Sequence, residues 1–274
     1  MIYIGFTVQH YKGLPPSMIV AWMRSIGVKF IEINTNTLSD LSALLPKIKS
    51  IKTAFHLPLI HEQGWDLSTS QSQDKIDRLI ETLTANRNAL NIQHVICHPP
   101  ESNGMEKAQP ASFDLLFKNL LKLDIPVYFE NVPSIDQERF TEFFTEASAR
   151  LGSLIKGICY DASHYLISGI DPLKAYENHV HLIKAVHLSD CTEKSDAHLP
   201  FGQGILPVDD ILDLMQKNHF KGFITLEIKP KSLYDLGDYL KSYLKTIKKF
   251  NLWQYWITRL RILILSPILR RLLA

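Results

Sequence analysis

Eight short apolar runs, each followed by a longer helical pattern, leave this chain few architectures. The runs are Tyr3–Thr7, Lys29–Ile33, Thr53–His56, His94–His98, Pro126–Glu130, Gly157–Asp161, Ala185–Leu188 and Gly222–Glu227. They are almost uniformly apolar until their last residues, the pattern of strands covered on both faces in a parallel sheet. Helical stretches lie between them, among them Gln73–Leu90, Phe113–Leu123, Gln137–Arg150, Val208–Lys217 and Leu233–Phe250. Several starts are marked, by Pro15 and Pro16, by Asp136, and by Pro207 with Asp209. In a chain of 274 residues this alternation predicts an α/β fold, a (β/α)8 TIM barrel forming a single domain over residues 1–250. A doubly wound sheet uses the same alternation, but no Gly-x-Gly-x-x-Gly follows the first strand.

Composition narrows the function classes. A formal net charge of +2 gives no electrostatic case for a nucleic-acid partner. Three cysteines (Cys97, Cys159 and Cys191) do not make a disulfide framework, and no leader pattern opens the sequence. A reducing cytoplasm is therefore expected, with Cys97 and Cys159 packed inside. Residues 251–274, NLWQYWITRLRILILSPILRRLLA, depart from the rest: they carry four arginines and no acid, which leaves residues 1–250 near −2. This apolar, basic helical tail is too interrupted by Arg and Pro267 for a clean membrane span. It suits either contact with a membrane surface, peripheral to the bilayer, or packing on the body or a second subunit.

The strand ends carry the chemistry. From the third strand onward they read TAFH56, VICH98, VYFE130, ICYD161ASH164, AVH187 and ITLE227. Six successive strands finish on His, Asp or Glu at the rim where barrels place their sites. Each residue alone reads as a rim hydrogen-bonder, but the set reads as a metal site. Imidazole and carboxylate donors accept Zn, Mn, Mg or Co. Asp161 and His164, three residues apart, can face the mouth while serving different ions.

The segment KSDAHLPFGQG adds Asp196 and His198 two residues apart, so that in an extended loop both point the same way. Gly202 and Gly204 would let the backbone run close beneath a bound substrate. His61 lies near the rim in sequence and is read as a substrate contact; His10, also near the rim, either supports a ligand or contacts substrate, and His94, His179, His181 and His219 fall elsewhere.

Taken in order, FHLP, CHPP, FENVP, YDASH, VHLSD, DAHLPFGQG and LEIKP resemble the xylose isomerase-like barrel superfamily over roughly residues 1–245. That superfamily includes sugar-phosphate isomerases and epimerases and also endonuclease IV. The resemblance implies a shared metal centre at Glu130, Asp161, His187 and Glu227. In the isomerases and epimerases, the two glutamates, here Glu130 and Glu227, move a proton at a substrate carbon. The expected function is accordingly a metal-dependent isomerase or epimerase acting on a small sugar, polyol or sugar phosphate. The alternative is an endonuclease IV-like multi-zinc phosphodiester hydrolase, whose additional ligands would be His56, His98, His164, Asp196 and His198. Only that alternative brings a nucleic-acid partner. The N-terminal IGFTVQHYKGLPP does not match the corresponding endonuclease motif.

Overall fold

A computed structural model of the chain describes residues 1–9, 13–101, 110–229 and 236–273. His10 lies outside the described residues. The strands are β1 (Ile2–Thr7), β2 (Phe30–Ile33), β3 (Lys52–His56), β4 (Ile92–Cys97), β5 (Val127–Glu130), β6 (Ile155–Asp161), β7 (Ile183–Leu188) and β8 (Gly222–Leu226). All pair in parallel with their chain neighbours, and β1 closes onto β8 through Ile2 to Phe6 against Gly222 to Leu226. The result is a closed eight-stranded barrel, the architecture that the strand and helix alternation predicts.

The helices on the outside are α1 (Pro16–Ile26), α2 (Leu41–Ile48), α3 (Ile60–Gln63), α4 (Gln73–Asn86), α5 (Pro110–Leu123) and α6 (Gln137–Leu151). They continue with α7 (Ala162–Ile167), α8 (Pro172–His179), α9 (Val208–Lys217), α10 (Leu236–Phe250) and α11 (Leu252–Leu273). Their starts follow elementary capping chemistry: the Asp136 carboxylate accepts from the Arg139 amide at α6, and that of Asp171 accepts from Leu173 at α8. The main core lies between this helical shell and the outer faces of the strands.

Side chains alternate along each strand, so every second residue enters the lumen. Near the strand starts the lumen is aromatic: Tyr3, Phe30, His94, Tyr128 and Phe223 stack or tilt against one another with centroids 4.5–6.2 Å apart. His94 belongs to this floor rather than to the mouth. Neither of its ring nitrogens has a hydrogen-bond partner, and burial drops its pKa to about 3, so it stays neutral. Above it sits a thin layer of Ile96, Cys159 and Ala185. One step higher the same alternation delivers Glu32, Glu130 and Thr225, followed by His98 and Glu227 just past the strand ends. The polar end of the lumen is the C-terminal rim.

Candidate metal centre

Glu130, 1% exposed at the end of β5, is the hub of the rim. Its Oε2 lies 3.2 Å from His56 Nε2, 3.4 Å from His98 Nε2 and 3.2 Å from His187 Nδ1. Its Oε1 lies 3.4 Å from His164 Nδ1. His187 Nδ1 is also 3.5 Å from Glu227 Oε2. A second carboxylate, Asp196, joins two more imidazoles, with Oδ2 3.4 Å from His164 Nε2 and 3.1 Å from His198 Nε2. Residues spread over β3 to β8 and the loop after β7 thus form one continuous cluster.

These spacings are those of ligands sharing an ion. Two donors each ~2.0–2.2 Å from a tetrahedral cation sit ~3.4 Å apart, which is the separation seen at Glu130 and at Asp196. The donor atoms of His56, His98 and Glu130 fall within 4.8 Å of one another, as do those of Glu130, Asp161, His187 and Glu227. Glu130 belongs to both groups.

The imidazoles are also aimed. Nδ1 of His56 meets the Leu57 carbonyl at 3.0 Å, and Nδ1 of His164 meets the Asn131 carbonyl at 2.7 Å. In each case Nδ1–H donates and Nε2 is left facing the cluster. His98 uses Nδ1 on Glu101 Oε1 at 2.7 Å, and His187 uses Nε2 on Glu32 Oε2 at 3.0 Å. Anchoring one ring nitrogen to turn the other inward is the usual support of a metal-ligating histidine. The inward atoms His98 Nε2 and His187 Nδ1 make no hydrogen bond, and neither do His198 Nδ1 and Asp196 Oδ1. His98 Nε2 and His187 Nδ1 thus face the Glu130 carboxylate at ion-pair distance without hydrogen-bond geometry, an arrangement that suits donors sharing a divalent cation. The residues present therefore fit the group.

The Asp161–x–x–His164 spacing works through a helix start. Asp161 caps α7, accepting the His164 amide on Oδ1 at 2.8 Å, while its own amide donates to Asn131 Oδ1 at 2.8 Å. The cap sends His164 back towards Glu130 and Asp196. Asn131, directly after Glu130, thus fixes both residues, a role that residue type alone does not reveal.

Two expectations about the loop after β7 need correction. Asp196 and His198 do meet, but not by extended backbone: His198 has φ +46°, in the left-handed region that non-glycine residues seldom occupy. The other concerns Gly202 and Gly204, which do not line the cavity. They wrap the buried Asp190 carboxylate, whose oxygens accept the amides of Gly202 at 2.8 Å, Gly204 at 2.9 Å, Leu206 at 2.9 Å and Cys191 at 3.0 Å. Gly202 has φ +85°, and a Cβ on Gly204 would strike the Cys191 carbonyl and the Asp190 carboxylate. The glycines hold the strap that carries Asp196 and His198.

Glu32 escapes the strand-end pattern. It is fully buried on β2, and its Oε2 accepts from His187 Nε2 and from Thr225 Oγ1 at 3.1 Å. Its donor atom also falls within 4.8 Å of those of His56, His187 and Glu227. A lone carboxylate inside the apolar run FIEI was the available signal. Glu101, which anchors His98, is the second omission. His61 lines the cavity at the rim, its ring nitrogen 3.9 Å from Glu101. The cavity itself measures about 470 Å³ and is also bordered by Thr7, Gln9, Glu227 and Lys229.

Burial and charge oppose each other throughout this cluster. Burial pulls His98 down, but Glu130 and Glu101 override it and lift its pKa to about 9. Burial pushes Glu130 up, yet the imidazoles around it hold it well below the ordinary carboxylate range. Burial raises Asp161 to about 7 against the pull of His164. Protons therefore compete with cations. Below about pH 9 His98 holds a proton that a bound cation must displace, so metal affinity should climb as pH rises towards that value. Calorimetric titration of the metal-stripped protein in buffers of differing ionisation enthalpy should register proton release, increasingly so at lower pH.

No functionally curated protein matches this sequence. Among solved structures, a D-tagatose 3-epimerase-like protein superimposes with TM-score 0.65 at 18% identity, covering 90% of this chain and 98% of its own. A D-allulose 3-epimerase from Methylomonas sp., in complex with D-allulose, gives 0.64 at 15% identity, covering 87% and 90%. An AP endonuclease, family 2, from Brucella melitensis gives 0.63 at 13% identity, covering 86% and 95%. At such identities the likeness establishes the fold and not the reaction. With a family model matching residues 20–250, closed barrel included, this chain belongs to the xylose isomerase-like TIM barrel family.

Proposed function

We propose that this chain is a metal-dependent phosphoester hydrolase in which Glu130, Asp161, His187, Glu227, His56, His98, His164, Asp196 and His198 together hold up to three divalent cations. The position of Glu130 supports this reading most. Each of its oxygens lies within 3.4 Å of at least one imidazole, and four rings surround it in all. So enclosed, it suits a bridging ligand better than a base that must reach a substrate carbon. The other five donors, idle in a one-ion isomerase, have work in a hydrolase.

Bound cations would supply charge neutralisation at phosphate oxygens and activation of water at neutral pH, and Zn, Mn, Mg and Co all suit the donor set. The chain's own groups do the remainder. Lys229 at the mouth, now 3.6 Å from Glu62 Oε1, could turn to an incoming phosphate, and His61 borders the same entrance. Glu227 keeps 13% of its side chain exposed and has Oε1 3.5 Å from Thr7 Oγ1, which leaves it able to take up a proton from attacking water. The cavity volume suits a sugar phosphate or one extruded nucleotide.

The isomerase or epimerase reading keeps one specific support: Glu130 and Glu227 both approach His187 Nδ1 and so flank one ion position. The two readings part on metal count and on the bond broken. Elemental analysis of the purified protein should find close to three ions per chain, and His198→Ala should remove about one of them. Cleavage of bis(p-nitrophenyl) phosphate or of an abasic duplex should accompany full loading. One ion per chain, with solvent deuterium entering a C–H bond of a ketose and no phosphoester cleaved, would reverse the assignment.

A further inference from the structure

Helix α11 is apolar on two opposite faces. Tyr255, Ile262 and Leu265 pack on the core and Thr258 is buried, while Trp253, Trp256, Leu260, Leu263 and Ile264 are each more than half exposed. The two sets interleave at spacings of three and four residues, so they occupy opposite sides of one helix. Packing therefore accounts for only half of the apolar residues in this segment. Trp253, 76% exposed, is among the least covered side chains of the outer stripe.

The charge on this helix has a single sign. Residues 251–274 contain Arg259, Arg261, Arg270 and Arg271 and no Asp or Glu. The Arg259 guanidinium lies 5.6 Å from the Trp256 ring and donates to Tyr255 Oη at 3.0 Å, beside the outer stripe. Among the described residues no helix is long and apolar enough to cross a membrane. Exposed tryptophans, an apolar stripe and flanking arginines on a helix that does not span are the features of one lying in a lipid headgroup region. A second copy fits less well, since a symmetric pairing of two such helices would set arginine against arginine with no acid on either to meet it.

The helix also has a defined place. It begins one residue after α10, whose C-terminal end lies at the strand starts, and the Arg261 guanidinium lies against Gly27, between α1 and β2. Its first half therefore lies against α10 and α1 at the end of the barrel opposite the metal cluster.

We propose that the outer stripe of α11 docks this protein on an anionic lipid surface, with the cavity mouth directed away from the bilayer. The substrate would then arrive from the aqueous side, and the helix acts as a mooring that carries nothing to the site. The test is co-sedimentation of the full-length protein with sucrose-loaded vesicles of phosphatidylglycerol and phosphatidylcholine, against phosphatidylcholine alone. Binding to the anionic vesicles is expected, and the double substitution Trp253→Ser with Trp256→Ser should weaken it by about tenfold or more. Both side chains are exposed, so the barrel should melt unchanged in that variant. The proposal is overturned by absence of binding to anionic vesicles or by equal binding of the double variant. It is overturned equally by a concentration-dependent dimer that the double substitution dissolves, which would assign the stripe to a second copy.

Discussion

Exchanging Glu130 for glutamine is expected to cost more than one ion per chain and about a thousandfold or more in activity. The charge is the reason. Glutamine keeps the shape and one carbonyl oxygen, but it lacks the negative charge that would hold cations between the surrounding imidazoles. Three imidazole nitrogens converge on one oxygen of Glu130, so its loss reaches the donors from β3, β4 and β7 together. Glu227→Gln should behave differently, because Glu227 shares only the His187 side of the cluster and contacts Thr7 with its other oxygen. Plasma emission spectrometry on both variants decides the matter. If Glu130→Gln keeps its full complement of metal and loses only turnover, then Glu130 is a proton carrier and the isomerase reading gains.

Replacing Glu32 by alanine is expected to weaken zinc binding by about 10–100-fold without lowering the number of ions at saturation. It should also destabilise the stripped protein by about 1–3 kcal/mol, because His187 loses the acceptor at Nε2 while Glu130 and Glu227 still face its Nδ1. Burial pushes the Glu32 carboxyl up, yet His187 beside it holds it below its ordinary pKa, so the pair folds charged. Glu32→Gln separates the two effects: an amide oxygen still accepts from His187 Nε2 and still turns Nδ1 inward. Near-native zinc affinity in the glutamine variant, with the loss confined to alanine, marks Glu32 as the residue that orients His187. A lost ion at saturating zinc in both variants would instead make Glu32 a ligand, as its distance to His56 and Glu227 allows.

The barrel was legible because its strands are largely apolar just before the rim, so Phe55–His56 or Phe129–Glu130 announces both a strand and its mouth-facing end. The same logic brought His56, His98, Glu130, Asp161 and His187 onto one list. Glu32 stayed hidden because Ile33 follows it: a rule that watches the last residue passes over a carboxylate one place earlier. Gly202 and Gly204 pointed to the right loop for the wrong reason. Their purpose depends on Asp190, which sits a dozen residues back, and no spacing connects a buried carboxylate to the four amides it will gather. The left-handed backbone at His198 likewise does not follow from the residue's own preference. The tail's two uses could not be separated by periodicity, since a helix apolar on both sides carries no net direction.

The aromatic floor of Tyr3, Phe30, His94, Tyr128 and Phe223 makes the lumen a vessel with one opening. Whatever a cation displaces on arrival, protons above all, has to leave by the route the cation came. Traffic through the mouth is thereby two-way and shared with substrate, and the pace of loading becomes a property of that single gateway, however tightly the deepest ligands grip.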